Sequence, residues 1–351
     1  MFWLTLLAFV IILGLLVFVH EFGHFIVAKF SGVKVEEFAF GFPPRIICKK
    51  RGETRYSINA IPFGGYVKML GEEEKVANPR SFSQKKPQFR LAIVVAGVLM
   101  NFILAGILFS VGYMIGMSPI RLDPEKLGGQ RHFEVLVADV LDNSPAKSAG
   151  LQSGDSILGF SSSEDFSQFT HDNVGKPVEF TVKSALEARK VSLTLSANAS
   201  SPLGIGVVSV PTVKLPFFAA IYRGFQDMIL TTGYIVVLLF NLIVGIFKER
   251  KVAGEVAGPV GIFNLTGQAV RLGIVYLIQL AAILSINLGL INILPLPALD
   301  GGRGIVIAAE GVFRKKVIRE ELENLIHTIG FVILILLISA ITIKEIVGLI
   351  K

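Results

Sequence analysis

The sequence predicts a polytopic α-helical membrane protein of about four transmembrane helices, interrupted by a small α+β domain. Three observations carry that expectation. Of 351 residues, 52% are hydrophobic and only 17% charged, whereas soluble domains carry about a quarter charged residues. Five uncharged stretches, residues 1–19, 91–120, 228–247, 272–299 and 324–343, approach or exceed the roughly 20 residues that span a bilayer core as a helix. One long polar interval, residues 125–210, instead alternates as strands do.

The first stretch lacks a basic leader and an Ala-x-Ala cleavage site, so it reads as a retained helix covering residues 1–28. Residues 29–90 hold thirteen Lys and Arg, among them Lys49-Lys50-Arg51 and Lys85-Lys86, and an excess of that sign marks a cytoplasmic loop. The N-terminus is then outside. The second helix, residues 91–117, leads outward to an extracytoplasmic domain over 125–210. A second basic loop, 303–319, contains Arg314-Lys315-Lys316 and is expected in the cytoplasm as well.

Parity then demands an odd number of crossings between that domain and residue 303, so one of the two intervening stretches does not cross. Thr231-Thr232-Gly233 and Asn241 interrupt 228–247, and Arg223 and Asp227 precede it. Residues 216–271 are therefore expected to be interfacial or re-entrant, with 272–299 the third span and 324–347 the fourth. The net charge of +7 sits in loops rather than along a stripe, which argues against nucleic acid as a partner. The lone cysteine, Cys48, excludes an intrachain disulfide and a cysteine-based metal site.

Within 125–210, strand-like pieces at 133–140, 156–160, 178–183 and 190–195 are separated by turn-rich polar stretches. Ser144 to Gly150 reads as a short helix with Ser144 as N-cap, Pro145 at N1 and Gly150 just past the end. The run Ser144-Pro-Ala-x-x-Ala-Gly-Leu-x-x-Gly-Asp-x-Ile157 resembles a PDZ domain, a module that commonly takes an extended peptide by adding a strand to its sheet. The pattern departs at residues 161–165, where a hydrophobic residue and an Asx-Gly turn are expected. A peptide ligand is thus one expectation and a structural spacer the other.

The chemistry concentrates in His20-Glu21-Phe22-Gly23-His24, which ends the first apolar stretch. Residues i and i+4 share a helix face, so both imidazoles can reach one metal ion, and ionisable groups at the edge of a membrane helix point to function. A catalytic zinc needs a third protein ligand. His132, His171 and His327 are poorly placed to supply it, whereas Asp300 ends the fourth stretch on the same side as His20. Just before it, Asn292-Ile-Leu-Pro295-Leu-Pro297-Ala-Leu-Asp300-Gly-Gly must break the helix, and broken backbone at membrane depth is tolerated where it lines a cavity.

These motifs resemble the site-2 proteases, intramembrane zinc metalloproteases, and most closely the bacterial branch typified by the regulator of sigma-E protease. Phe40-Gly41-Phe42, Ile61-Pro-Phe-Gly64-Gly65-Tyr66-Val67-Lys68-Met69, Gly97-x-x-x-Asn101 and Gly258-Pro-Val-Gly261-Ile262 follow in the family's order. The resemblance implies a zinc ion held by His20, His24 and Asp300, with Glu21 as general base. It implies substrate contacts from Asn292, Pro295 and Pro297, an inward-facing Asn101, and a membrane-associated β-hairpin whose Gly64, Gly65 and Tyr66 pair with unwound substrate. It further implies a bacterial cytoplasmic (inner) membrane location and single-span membrane protein substrates, such as an anti-sigma factor or a signal-peptide remnant, first cut by a site-1-type protease.

Two departures accompany it: Val98 stands where the family often has proline, and there is room for one PDZ domain rather than two. A non-catalytic PDZ-bearing scaffold and a zinc transporter are the competing classes. The scaffold would leave Glu21 without a purpose, and the transporter would need polar groups along more of the spans.

Overall fold

The computed structural model describes residues 1–72, 76–120, 130–184, 187–196, 201–249 and 257–350. In chain order the elements are α1 (Phe2–Phe30), β1 (Val35–Arg51), β2 (Thr54–Met69), α2 (Pro87–Ile115), β3 (Gln130–Val140), α3 (Pro145–Ser148), β4 (Ser156–Leu158), α4 (Ser163–Asp172), β5 (Pro177–Ser184), β6 (Glu187–Thr194), β7 (Ile205–Lys214), α5 (Phe217–Glu249), α6 (Pro259–Leu272), α7 (Ile274–Ile293), α8 (Asp300–Phe313) and α9 (Glu320–Ile350). Five helical stretches are long and apolar enough to cross a membrane: Phe2–Phe30, Pro87–Ile115, Phe217–Leu242, Ile274–Ile293 and Leu325–Leu349.

That count differs from the four expected spans, and the difference lies in α5. It is one unbroken helix through Thr231-Thr232-Gly233, in which the Thr232 hydroxyl is satisfied by donating to Met228 O at 2.7 Å. No re-entrant break forms there. Its candidate span nonetheless has a mean hydropathy of 1.5, against 2.2 to 2.9 for the other four. The break expected at Asn292 to Gly302 is present: within the 272–299 stretch α7 stops at Ile293, because Pro295 and Pro297 cannot continue a helix ladder. A new helix, α8, then starts at Asp300.

The chain divides into two compact units. The first comprises residues 1–5, 107–227 and 264–280. It contains a five-stranded antiparallel sheet in the order β6-β5-β4-β3-β7, closed around Val135, Val137, Ala146, Leu151, Ile157, Phe166, Phe180 and Val182. Ser144 caps α3 as expected, its side chain accepting from Lys147 N at 3.1 Å, and Gly150 takes φ +73°. The stretch that lacked an Asx-Gly turn forms α4 instead, because Ser162 accepts from Asp165 N at 3.1 Å as an N-cap and two acids occupy the first turn. In the same unit Tyr113 donates to the buried Asp227 at 2.5 Å, so α5 carries a paired carboxylate where it meets α2.

The second unit comprises residues 6–106, 228–263 and 281–351, described to residue 350. Here β1 and β2 form a hairpin turning at Gly52, φ +63°. Residues 37–40 lie between two stretches of β2, with Arg55 to Ile58 on one side and Gly65 to Lys68 on the other, and Arg45 to Arg51 extend the outer arm. Glu37 is buried in this sheet; burial opposes its charge, but Ser57 and Arg45 donate to it and hold its carboxyl below the usual range. At the turn, Arg80 and Lys29 lower the Glu53 carboxyl to about 2.

An aromatic ladder joins the hairpin to α1. Phe18, Phe22 and Phe25 share one helix face and meet Phe38, Phe40 and Tyr56 at centroid distances of 5.0 to 6.4 Å. At the other end of the chain Glu345 of α9 accepts from Gly258, Val260 and Gly261 N–H at 2.7, 3.1 and 3.1 Å. A carboxylate there complements the N-terminal end of α6. The two glycines of that motif leave the room it needs, since a Cβ on either would strike the Glu345 carboxylate.

Candidate metal centre

Helix α1 presents His20 and His24 one turn apart, both buried at 7% and 8% exposure. Their Nε2 atoms are 3.1 Å apart, and Asp300 Oδ2, at the first position of α8, lies 3.0 and 3.2 Å from them. Donor atoms around a tetrahedral zinc with bonds of 2.0–2.1 Å stand about 3.3 Å from one another. The three atoms therefore have the spacing of a shared cation.

The protonation pattern points the same way. His24 Nδ1 is 2.8 Å from Ile93 O, and because a carbonyl only accepts, Nδ1 carries the proton and Nε2 presents its lone pair inward. For His20 the partner of Nδ1 is Asn101, whose Nδ2 lies 3.3 Å away while its buried Oδ1 has no partner. Turning that carboxamide over exchanges the two atoms, an assignment that shape alone does not fix. His20 Nδ1–H then donates to Oδ1, and the second Nε2 also faces inward with its lone pair.

Asp300 Oδ2 is buried and, despite the short contacts, has no hydrogen-bond partner. Two imidazole lone pairs and a carboxylate oxygen converge with no proton between them. Such a set fits a divalent cation, and histidines oriented through their second nitrogen are the usual supporting arrangement.

Glycines make the packing feasible. A Cβ at Gly97 of α2 would run into His24 Nε2 and, at 2.8 Å, His20 Cε1; one at Gly23 would meet the backbone of Ala96. Helices α1 and α2 thus touch through small residues, the common way for membrane helices to approach closely. Val98, in place of the family's proline, is buried and leaves α2 unbroken. Gly301 and Gly302 of α8 admit the carbonyls of Ile293, Leu294 and Leu296, which brings the broken end of α7 directly over Asp300.

Of the other residues singled out in the sequence, Asn101 and Asn292 stand at the cluster, the latter with Nδ2 3.4 Å from His20 Nε2. Glu21 faces the hairpin: a Cβ on Gly65 would sit 3.3 Å from its Cγ, and the Val67 backbone is within hydrogen-bonding reach of its carboxylate. Gly64 takes φ +110° against the Phe42 ring, and Tyr66 follows half-buried in a cavity of about 610 Å3 along the β2 edge. Pro295 and Pro297 are exposed in the loop before Asp300 rather than among the donors. Sequence reasoning missed the Ile93 carbonyl, which has no sequence signature, and set aside His327, whose Nδ1 accepts from Ala298 N at 3.0 Å.

Two buried histidines on a helix of membrane-spanning length, a partly buried aspartate at the start of α8 and a carboxylate beside them form a donor set of the kind that metal-dependent hydrolases use. The chain belongs to peptidase family M50, whose sequence profile matches residues 8–337. It is 34% identical over 340 residues to a protein of Clostridium acetobutylicum provisionally named a zinc metalloprotease, with 95% of each chain covered. It is also 29% identical to the zinc metalloprotease RasP of Geobacillus kaustophilus, covering 97% of each, and 30% identical to RasP of Shouchella clausii, covering 97% of this chain and 98% of that one.

Proposed function

We propose that this protein is an intramembrane zinc endopeptidase, cleaving single-span membrane proteins within or near their transmembrane segment in regulated intramembrane proteolysis. His20, His24 and Asp300 hold the zinc, and the observation that carries the reading is the convergence of their three donor atoms at 3.0 to 3.2 Å. Zinc bound there supplies Lewis acidity, acidifying water and polarising a carbonyl. Glu21, adjacent to the donors and not one of them, takes the proton from the attacking water. It returns that proton to the amide nitrogen as the C–N bond breaks, leaving a carboxylate and an amine.

A peptide bond inside a helix is covered by its own hydrogen bonds, so the substrate must unwind, and its freed amides need partners. The Gly65 to Met69 stretch of β2 is suited to this. It is paired with β1 on one side only among the described residues, and it passes Glu21. Strand addition there places the scissile bond beside the base, with Asn292 and the loop holding Pro295 and Pro297 as further contacts. Exposed Phe42, Ile46, Ile47, Ile58 and Ile61 on the hairpin favour its seating in the bilayer interface.

We read residues 125–210 as an extracytoplasmic PDZ domain, supported by the capped α3 and the Gly154-Asp155 turn into β4, and α5 as lying along the membrane so that four helices cross. The N-terminus is then outside a bacterial cytoplasmic membrane. Substrates are of anti-sigma-factor or signal-peptide-remnant type, already cut outside by a site-1-type protease, and the PDZ domain screens their extracytoplasmic end.

The test incubates purified wild type and Glu21→Gln in detergent with a single-span substrate, with and without a zinc chelator, while bound metal is quantified. Chelator-sensitive cleavage within the span by wild type, absent in a zinc-loaded Glu21→Gln, is expected. Asp300→Asn should lose most of its zinc. Wild-type zinc content in Asp300→Asn would refute the assigned ligand, and intact substrates with zinc bound would favour a scaffold.

A further inference from the structure

We propose that His327 and Gly330 of α9 are positioning residues for Asp300, holding the loop that delivers its carboxylate to the two histidines. This rests on the assignment of Asp300 as a zinc ligand and goes beyond it, to a helix remote in sequence from the motifs.

The loop between α7 and α8, residues 294–299, contains Pro295 and Pro297, which have no N–H to give. Leu294 N bonds Ile291 O at 3.1 Å, Leu296 N bonds Leu294 O at 2.7 Å, and Leu299 N bonds Leu296 O at 3.2 Å. One amide remains, that of Ala298, and it donates to His327 Nδ1 at 3.0 Å. Buried backbone donors are almost always satisfied, so the imidazole completes this loop's hydrogen bonding. Ala298 also takes φ +73°, a conformation a residue with a Cβ avoids unless its surroundings impose it.

A second, steric contact bears on the same two loop residues. Gly330 lies three positions beyond His327, on the same helix face. A Cβ there would overlap the Pro297 side chain and stand 2.8 and 2.9 Å from the Pro297 carbonyl carbon and oxygen. The loop is thus held between Gly301 and Gly302 of α8 and the His327–Gly330 face of α9. From Pro297 and Ala298 the chain reaches Asp300 within three residues.

Elsewhere α9 presents apolar side chains outward, and its candidate span has no buried residue. A histidine in such a helix is costly without a purpose. Its Nδ1 must be an unprotonated acceptor in this contact, and it lines, with Arg303 and Thr328, the cavity of about 550 Å3 that Asp300 also borders.

Asparagine sets its Oδ1 about where histidine sets Nδ1, so His327→Asn retains the acceptor while His327→Leu removes it at similar bulk. The experiment measures zinc affinity of the purified full chain by competition with a chromophoric chelator, and the visible spectrum of the cobalt-substituted site. Variants are His327→Leu, His327→Asn, Gly330→Val and Asp300→Asn, with metal-free thermal unfolding as the fold control.

Zinc affinity should fall about 10- to 100-fold in His327→Leu and Gly330→Val, the range for groups supporting a ligand, with a changed cobalt spectrum. In His327→Asn it should stay within about threefold. Wild-type affinity and spectrum in His327→Leu, alongside zinc loss in Asp300→Asn, would overturn the inference while sparing the ligand set. Unchanged zinc in Asp300→Asn would instead overturn the ligand set. Should His327→Leu fail to fold, His327→Asn decides: a loss there as large as in Gly330→Val overturns the acceptor role.

Discussion

Gly97 and Asn101 of α2 act on the metal centre without contributing a ligand atom. The first leaves room for both imidazoles, and the second stands 3.3 Å from His20 Nδ1. Asn101→Leu should lower zinc affinity about 10- to 100-fold while Glu21→Gln leaves it unchanged, as read by chelator competition on the two purified variants. Equal affinity in wild type and Asn101→Leu would mean His20 is oriented by something else. At this scale much was legible beforehand: the spacing of His20 and His24 and the isolation of Asp300 among carboxylates singled out three residues whose donor atoms lie within 3.2 Å of one another. His327 was discounted because chain position says nothing about which turn of α9 meets the α7–α8 loop, and the Ile93 carbonyl because every residue has one.

Among the elements, the hairpin depends most on side chains far from it in sequence. Phe38 is nearly buried, at 9% exposure, with Phe18, Phe22, Phe25 and Tyr56 around it. Phe38→Ala should weaken the hairpin's attachment to α1 by about 3–5 kcal/mol, the usual loss for a packed phenylalanine. Limited proteolysis should then cut between residues 42 and 54 faster, with zinc content unchanged and cleavage reduced. Unchanged proteolysis and cleavage would show that α1 is not what holds the strand beside Glu21. A hairpin in this loop was expected from the family resemblance, but the double pairing of β2 with β1 was not, since Gly41 at φ +80° and Gly64 at φ +110° let one chain fold back twice. The prolines that end α7 were legible as a break; that α8 begins at Asp300 was not.

For the whole molecule the open quantity is the number of crossings. Five candidates and two basic loops cannot all obey the positive-inside rule, because a crossing α5 would put residues 303–319 on the same side as the strand-rich domain. Cys48 is exposed, so a Cys48→Ser background carrying Lys251→Cys, a position outside the described residues, gives a clean label. Labelling from the extracytoplasmic side is expected; labelling from the cytoplasm would make α5 a fifth span and invert the later helices.

Composition, apolar runs and motif spacing determined by themselves that this is a multi-pass membrane protein with a strand-rich insertion, and they singled out His20, His24 and Asp300 as candidate metal donors. These are properties of local chemistry: hydrophobic length, charge and helical periodicity act within a few turns of chain. Only the tertiary structure decided that Asn101, Ile93 O and the glycines of α2 and α8 surround those donors, that Glu21 faces β2, and that α9 returns to support the Asp300 loop. Such contacts depend on which backbones approach within van der Waals distance, and sequence position carries no record of that.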